Sequence, residues 1–175
     1  PTGATLMSRP QSAALPIARI ALKTLIVLNW LTGAAILVLL LVMPHEQWIL
    51  AEFGLAPSPD ADRLIMGLRA IAVIGLVSIP LNLVVFKRLL AIVEAVRAGD
   101  PFVAASASRL QAIAWALLAL QLLSLVVGAI ADAISTPAHP LHFEAGFSVN
   151  GWLAVLLTFV LARVFAEGAN RREDL

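Results

Sequence analysis

Hydrophobic residues in this chain are gathered into long runs that contain no charged side chain. A helix that crosses a hydrocarbon core of about 30 Å needs roughly 20 apolar residues. Runs near that length predict four membrane spans, at residues 24–43, 64–86, 110–131 and 145–162. The second span joins the charge-free run 70–86 to the apolar residues that precede Arg69, which is expected near the outer interface. The pattern therefore predicts an all-α membrane protein with four transmembrane helices, forming a single membrane domain over residues 1–175.

The first apolar run needs to be distinguished from a secretory signal, because Arg19 and Lys23 precede it. Its apolar core is too long for a signal peptide, and no small-x-small cleavage site follows it. We therefore expect this span to be a retained membrane anchor.

Composition supports a membrane protein and excludes several other classes. The chain is 61% hydrophobic and 13% charged, whereas soluble domains have about 45–50% apolar and about 25% charged residues. These values exclude disorder, collagen-like repeats and a nucleic-acid-binding composition, so we expect no direct nucleic acid binding. Cysteine is absent, which excludes disulfides, thiolate metal sites and thiol nucleophiles.

The positive charges are distributed unevenly between the two predicted sides of the membrane. Ten of the twelve Lys and Arg residues fall before the first span, between the second and third spans, or after the fourth. The other side has only Arg63 and Arg69. The positive-inside rule therefore predicts that both termini and the middle loop are cytoplasmic.

The middle loop, residues 87–109, has the signals of a helical hairpin. Ser58-Pro59-Asp60 is a helix start for the second span. An apolar stripe continues that helix past Phe86 until Gly99 ends it. Asp100-Pro101 then starts the next helix. We expect a hairpin that stands off the membrane with its corner at Gly99-Asp100-Pro101.

Few polar side chains lie within the spans. Those that could form a cluster inside the membrane are Asn29, Ser78, Asn82, Gln121 and Thr158. They fit interhelical hydrogen bonds that hold the helices together, each worth about 1 kcal/mol. The alternative is a polar cavity for a ligand.

At the outer ends of the spans, Arg69 and Asp132 lie at similar depth, and an ion pair between them is expected.

The chemistry that most membrane enzymes and pumps require is missing. No charged residue or histidine lies in the middle of a span, which argues against coupled transport and against a b-type cytochrome. No phosphate loop, nucleophile elbow or paired-carboxylate site is present, so we expect a protein that is not an enzyme and has no cofactor. Four outer-loop residues are weak candidates for metal binding, and we interpret them as ordinary loop residues: His45, His139, His142 and Glu144.

Two segments carry a family resemblance. The run from Val96 to Phe102 with its Gly99-Asp100-Pro101-Phe102 corner, followed by Ser108-Arg109-Leu110 and Ile113-Ala114-Trp115, resembles the signature of the domain-of-unknown-function 2975 family of four-span bacterial membrane proteins. Val164-Phe165-Ala166-Glu167-Gly168 resembles that family's ending. Ala114 stands where the family pattern favours glycine.

The resemblance implies a location in the bacterial inner membrane and, because family members are often encoded beside a very small helix-turn-helix regulator, a cytoplasmic protein partner. The residues predicted to dock it are Arg97, Gly99, Asp100, Pro101, Phe102, Arg109 and Gly168. The rival interpretation of these residues is structural, with Gly99 and Pro101 forming the corner and Arg109 marking the lipid boundary. Two other functions stay open: an accessory subunit of a larger membrane complex, and a binder of lipid or a hydrophobic small molecule.

Overall fold

A computed structural model describes residues 14–42, 51–52, 54, 59–99, 104–135 and 146–173. Its four long helices are α1 (Ala14–Val42), α2 (Pro59–Arg97), α3 (Ala104–Ile134) and α4 (Val149–Glu173). Each has the length and apolar composition needed to cross a membrane. The described residues contain no strand, which confirms the prediction of an all-α, four-span chain.

The helices pack in chain order, with each one antiparallel to the next. Extensive contacts join α1 to α2, α2 to α3 and α3 to α4. At one end Leu40 of α1 packs near Ile65 of α2, and at the other Arg19 meets Glu94. Because α1 and α4 each have one extensive helical neighbour in the described part of the chain, the arrangement is an open row.

The ends of α2 agree with the local sequence signals. The helix begins at Pro59, has Asp60 and Asp62 in its first turn, and continues through Pro80 to Arg97. Acidic side chains are favoured at the positive end of the helix dipole. The extension of this helix far beyond the second apolar run is confirmed.

The fourth helix differs from its predicted span. It begins at Val149 instead of residue 145 and continues to Glu173, well past residue 162. Gly146 has a φ of 131°, and the Ser148 hydroxyl accepts a hydrogen bond from the Gly151 amide at 3.2 Å. A serine in this position is a favoured N-cap. The start is therefore set by capping, which the apolar run does not reveal.

Two glycines permit close approach of neighbouring helices. A Cβ on Gly33 of α1 would lie 3.3 Å from the side chain of Ile79 on α2, and a Cβ on Gly67 of α2 would lie 2.5 Å from Ile134 Cγ2 on α3. Small residues at such contacts let helix backbones approach closely within a membrane. The α1–α2 and α2–α3 interfaces therefore both depend on a glycine that has no side chain at the contact.

Candidate functional site

One end of the row, here called the basic end, is where α1 and α3 begin and α2 and α4 end. The cationic side chains that the structure describes there are Arg19, Lys23, Lys87, Arg88, Arg97, Arg109, Arg163 and Arg171. Beyond Phe86, α2 continues for about 16 Å at 1.5 Å per residue. One side of this extension is apolar: Leu89 and Ile92 pack with residues of α3. Its charged side chains are exposed: Lys87, Arg88, Glu94 and Arg97.

Two contacts attach this extension to the neighbouring helices. Arg19 Nε of α1 lies 3.6 Å from Glu94 Oε1. Arg109 Nη1 of α3 donates to the Ala91 carbonyl at 3.5 Å. The extension of α2 is therefore contacted by a cationic side chain from each neighbouring helix. Arg109 is directed toward α2, and its docking role stays a prediction.

The chain turns at Gly99. The amide of Ala98 donates to the Glu94 carbonyl at 3.0 Å, and the amide of Gly99 donates to the Val96 carbonyl at 3.1 Å. Gly99 has a φ of 88°, which is the left-handed conformation that glycine adopts at helix ends. The other predicted corner residues, Asp100, Pro101 and Phe102, lie outside the described residues.

The end of α4 reaches the same region. Gly168 is half-buried and Ala169 is buried, whereas Glu167 and Arg171 are exposed. Of the predicted docking residues, the structure therefore describes Arg97, Gly99, Arg109 and Gly168 at the basic end. Among these four residues, Arg97 is the one with an exposed charged side chain, and it makes no ion pair within the described part of the chain.

The polar residues inside the spans are spread over several places. Asn29 Nδ2 donates to the Ile79 carbonyl at 3.0 Å across the α1–α2 interface. Ser78 and Thr158 donate within their own helices, to the Gly75 carbonyl at 2.6 Å and the Ala154 carbonyl at 2.7 Å. Asn82 is half-buried. Within the described part of the chain, only Asn29 among these residues makes the interhelical hydrogen bond that was predicted, whereas Ser78 and Thr158 bond within their own helices.

Gln121 and Ser124 of α3 contact the start of α4. Gln121 Nε2 donates to the Ser148 carbonyl at 3.4 Å, and Ser124 Oγ is 3.4 Å from the Gly146 carbonyl and 3.2 Å from its amide. Gln121 lies about 18 Å along α3 from Arg109, so α4 begins near the middle of the third apolar run. Backbone without helical hydrogen bonds at this level needs partners from the protein, and Ser124 supplies one.

Two expectations concern the opposite end. Arg69 lines a small cavity with Asp62, Ile65 and Met66, and Asp132 is exposed, so an ion pair between Arg69 and Asp132 stays a prediction. The candidate metal ligands His45, His139, His142 and Glu144 lie outside the described residues, among which no metal-binding cluster occurs.

A groove between α3 and α4 was not anticipated from the sequence. It has a volume of about 560 Å³, and Ser108, Gln111, Phe159 and Arg163 contribute to its wall. Ser108 and Gln111 are three residues apart and thus share a face of α3. The spacing of Ser108 and Gln111 was the sign of this groove that the sequence offered. Arg163 joins them in the wall of the groove because α4 packs against α3.

These features define a multi-pass helical membrane protein with an ordered, charged end. The family model described as protein of unknown function (DUF2975) matches residues 56–175, which include α2, α3 and α4. The chain belongs to this family, as the corner and tail motifs indicate. The comparisons with curated proteins and with solved structures give no match.

Proposed function

We propose that the protein is a non-enzymatic inner-membrane protein whose basic end faces the cytoplasm and docks a cytoplasmic protein. The observation that supports this most is the extension of α2 past its apolar run, where Leu89 and Ile92 pack with residues of α3 and Arg109 donates to the Ala91 carbonyl. A surface that is fixed before binding loses less conformational entropy when a partner docks. The excess of Lys and Arg at this end supports the cytoplasmic orientation.

The partner that fits is a small protein with an acidic docking face. The exposed charged side chains on the α2 extension are three cations and one acid, namely Lys87, Arg88, Arg97 and Glu94. Complementary charge favours rapid and specific association. A small helix-turn-helix regulator is the candidate that the family resemblance suggests, and its capture at the membrane would keep it from DNA.

The orientation can be tested by cysteine labelling, because the chain contains no cysteine. Arg63 and Arg97 are exposed residues near opposite ends of α2. We expect Arg63→Cys to react with a membrane-impermeant maleimide in intact spheroplasts, and Arg97→Cys to react only after the membrane is permeabilised. The reverse labelling pattern would overturn the proposed orientation.

Docking can be tested with the same two positions. The full chain is purified from its own membranes in mild detergent, and co-purifying proteins are identified by mass spectrometry. We expect a cytoplasmic protein to be retained by the wild type and by Arg63→Glu, and to be lost with Arg97→Glu while membrane insertion is unchanged. Retention of that protein by Arg97→Glu, or the absence of any stoichiometric cytoplasmic protein, would contradict the proposal.

The open row of helices favours a second candidate, an accessory subunit of a larger membrane complex. Among the described residues, α1 and α4 each leave most of their apolar surface without a helical neighbour, and Leu31 and Leu156 are both 60% exposed. Other transmembrane helices could cover these faces. In that case the chain would leave the membrane at a mass far above that of its own micelle, together with other membrane subunits.

A further inference from the structure

The groove between α3 and α4 lies where the apolar part of α4 ends. Arg163 is the first charged residue after the apolar run of that helix, and its side chain is exposed and lines the groove. The volume of about 560 Å³ falls within the roughly 300–1,000 Å³ of small-molecule sites. The groove therefore combines a free cation with space for a ligand at the membrane boundary.

The donors that face the groove suit a phosphate group. Arg163 offers a planar guanidinium, which binds phosphate through paired N–H donors. Gln111 adds an amide NH₂ from the facing helix. The Ser108 hydroxyl donates to the Ala105 carbonyl of its own helix at 3.0 Å, so it forms part of the wall. Ala107, Ala162 and Ala166 are small, and they leave the groove open.

Arg163 has no ion-pair partner within the described part of the chain, although Glu167 follows it by one turn of α4. None of the described residues that line the groove is acidic. By contrast, Arg19 is paired with Glu94, and Arg109 donates to the Ala91 carbonyl. Arg163 is thus available to bind an anion from outside the chain.

The surface beside the groove on the membrane side is apolar. The rings of Phe159 and Trp115 meet edge to face, with centroids 5.4 Å apart. Leu156 and Val160 of α4 are 60% and 51% exposed. A ligand with its phosphate on Arg163 and its hydrocarbon tail along these side chains would cover both parts of the surface. Basic pockets between transmembrane helices bind lipid head groups in this way.

We propose that the α3–α4 groove binds the phosphodiester head group of an anionic phospholipid, with Arg163 and Gln111 as the donors. The acyl chains lie along Phe159, Trp115 and the exposed apolar residues of α4. This proposal does not rest on the docking function, because it concerns a different surface and needs no protein partner.

The test uses the full chain purified in mild detergent and delipidated. Binding of phosphatidylglycerol is measured by native mass spectrometry and by the shift in thermal unfolding temperature. Phosphatidylcholine with the same acyl chains and inorganic phosphate serve as the comparison ligands. We expect phosphatidylglycerol to bind at least tenfold more tightly than phosphatidylcholine, because the choline cation of phosphatidylcholine cancels the charge of the phosphodiester that both lipids carry. Inorganic phosphate should give no comparable stabilisation.

Substitutions in the groove test whether phosphatidylglycerol binds there. Arg163→Gln is expected to weaken phosphatidylglycerol binding about tenfold, and Arg171→Gln, which removes an exposed arginine further along α4, is expected to leave it unchanged. Gln111→Glu places an acid in the groove at an exposed position and should also weaken binding. If circular dichroism shows that Arg163→Gln does not fold, Gln111→Glu still tests whether lipid binding depends on the groove.

Three outcomes would overturn the proposal. Equal binding of the two lipids would show that the site does not respond to the net negative charge of the head group, and would exclude a site for anionic lipids. Stabilisation by inorganic phosphate that matches that by phosphatidylglycerol would indicate a site for a free anion. Equal losses with Arg163→Gln and Arg171→Gln would show that net charge, and not the groove, determines lipid binding.

Discussion

Asn29 of α1 donates its side-chain N–H to the backbone carbonyl of Ile79 on α2, at 3.0 Å in a buried position. One turn further along α1, Gly33 faces the side chain of the same isoleucine, where a Cβ would lie 3.3 Å from it. Ile79 directly precedes Pro80 in α2. A hydrogen bond and a close glycine contact thus fix the register of these two helices at one residue.

Replacing Asn29 should therefore weaken the attachment of α1. We expect Asn29→Leu to lower the free energy of unfolding in detergent by about 1 kcal/mol, the size of interhelical hydrogen bonds in membranes. Thr32→Val is the matched control, because the Thr32 hydroxyl donates to the Leu28 carbonyl within α1 at 2.9 Å. Denaturant titrations of both variants measure the difference, and equal losses would show that the Asn29 contact has no special weight.

The contact between Gly67 and Ile134 predicts sensitivity to a single methyl group. A Cβ at Gly67 would lie 2.5 Å from Ile134 Cγ2, so Gly67→Ala should destabilise the chain by about 1–3 kcal/mol through overpacking. Gly75→Ala should be neutral or stabilising, because its Cβ would meet Ile36 Cδ1 at an ordinary 3.4 Å and alanine favours helix over glycine.

Ile134→Ala provides the check on that explanation. It removes the atoms that the new Cβ would meet, so the loss caused by Gly67→Ala should be smaller in the Ile134→Ala background. Unfolding free energies of the two single variants and the double variant form a cycle that measures the coupling. Additive losses would mean that Gly67→Ala acts elsewhere.

The ends of α2 could be predicted from the sequence because they depend on local chemistry. Proline at the first helical position and acids in the first turn mark its start at Pro59, and a glycine with left-handed backbone follows its end at Arg97. Long apolar runs likewise suffice to identify four spans. Each of these signals lies within a few residues of the feature that it predicts.

The features that the sequence did not reveal depend on contacts between helices. The start of α4 is fixed by Ser148 and by Ser124 of α3, which lies 22 positions from Gly146. The α3–α4 groove exists because the antiparallel register brings Arg163 beside Gln111. Neither register can be derived from apolar runs, because such runs are uniform along their length and fit many relative positions of two helices.

The contact of Ser124 with Gly146 gives a further prediction. We expect Ser124→Ala to cost about 1–2 kcal/mol, because it removes the partner of a backbone amide near the middle of the span. Hydrogen exchange of the Gly146 amide should also become faster. Ser108→Ala is the control on the same helix and should change little, because Ser108 donates only within α3. An unchanged exchange rate at Gly146 in Ser124→Ala would contradict this role.

The ion pair between Arg19 and Glu94 should have a small and salt-dependent effect. Their side chains are 39% and 51% exposed, and ion pairs of this kind contribute about 0.2–1 kcal/mol. In a double-mutant cycle of Arg19→Gln and Glu94→Gln, we expect a coupling of about 0.5 kcal/mol that decreases at high salt. Lys23→Gln, a change at an exposed residue one turn along α1, should show no coupling to Glu94→Gln. A coupling that persists in 1 M salt would mean that the pair is shielded from solvent, and that α1 and the α2 extension are joined more firmly than the exposure of these side chains implies.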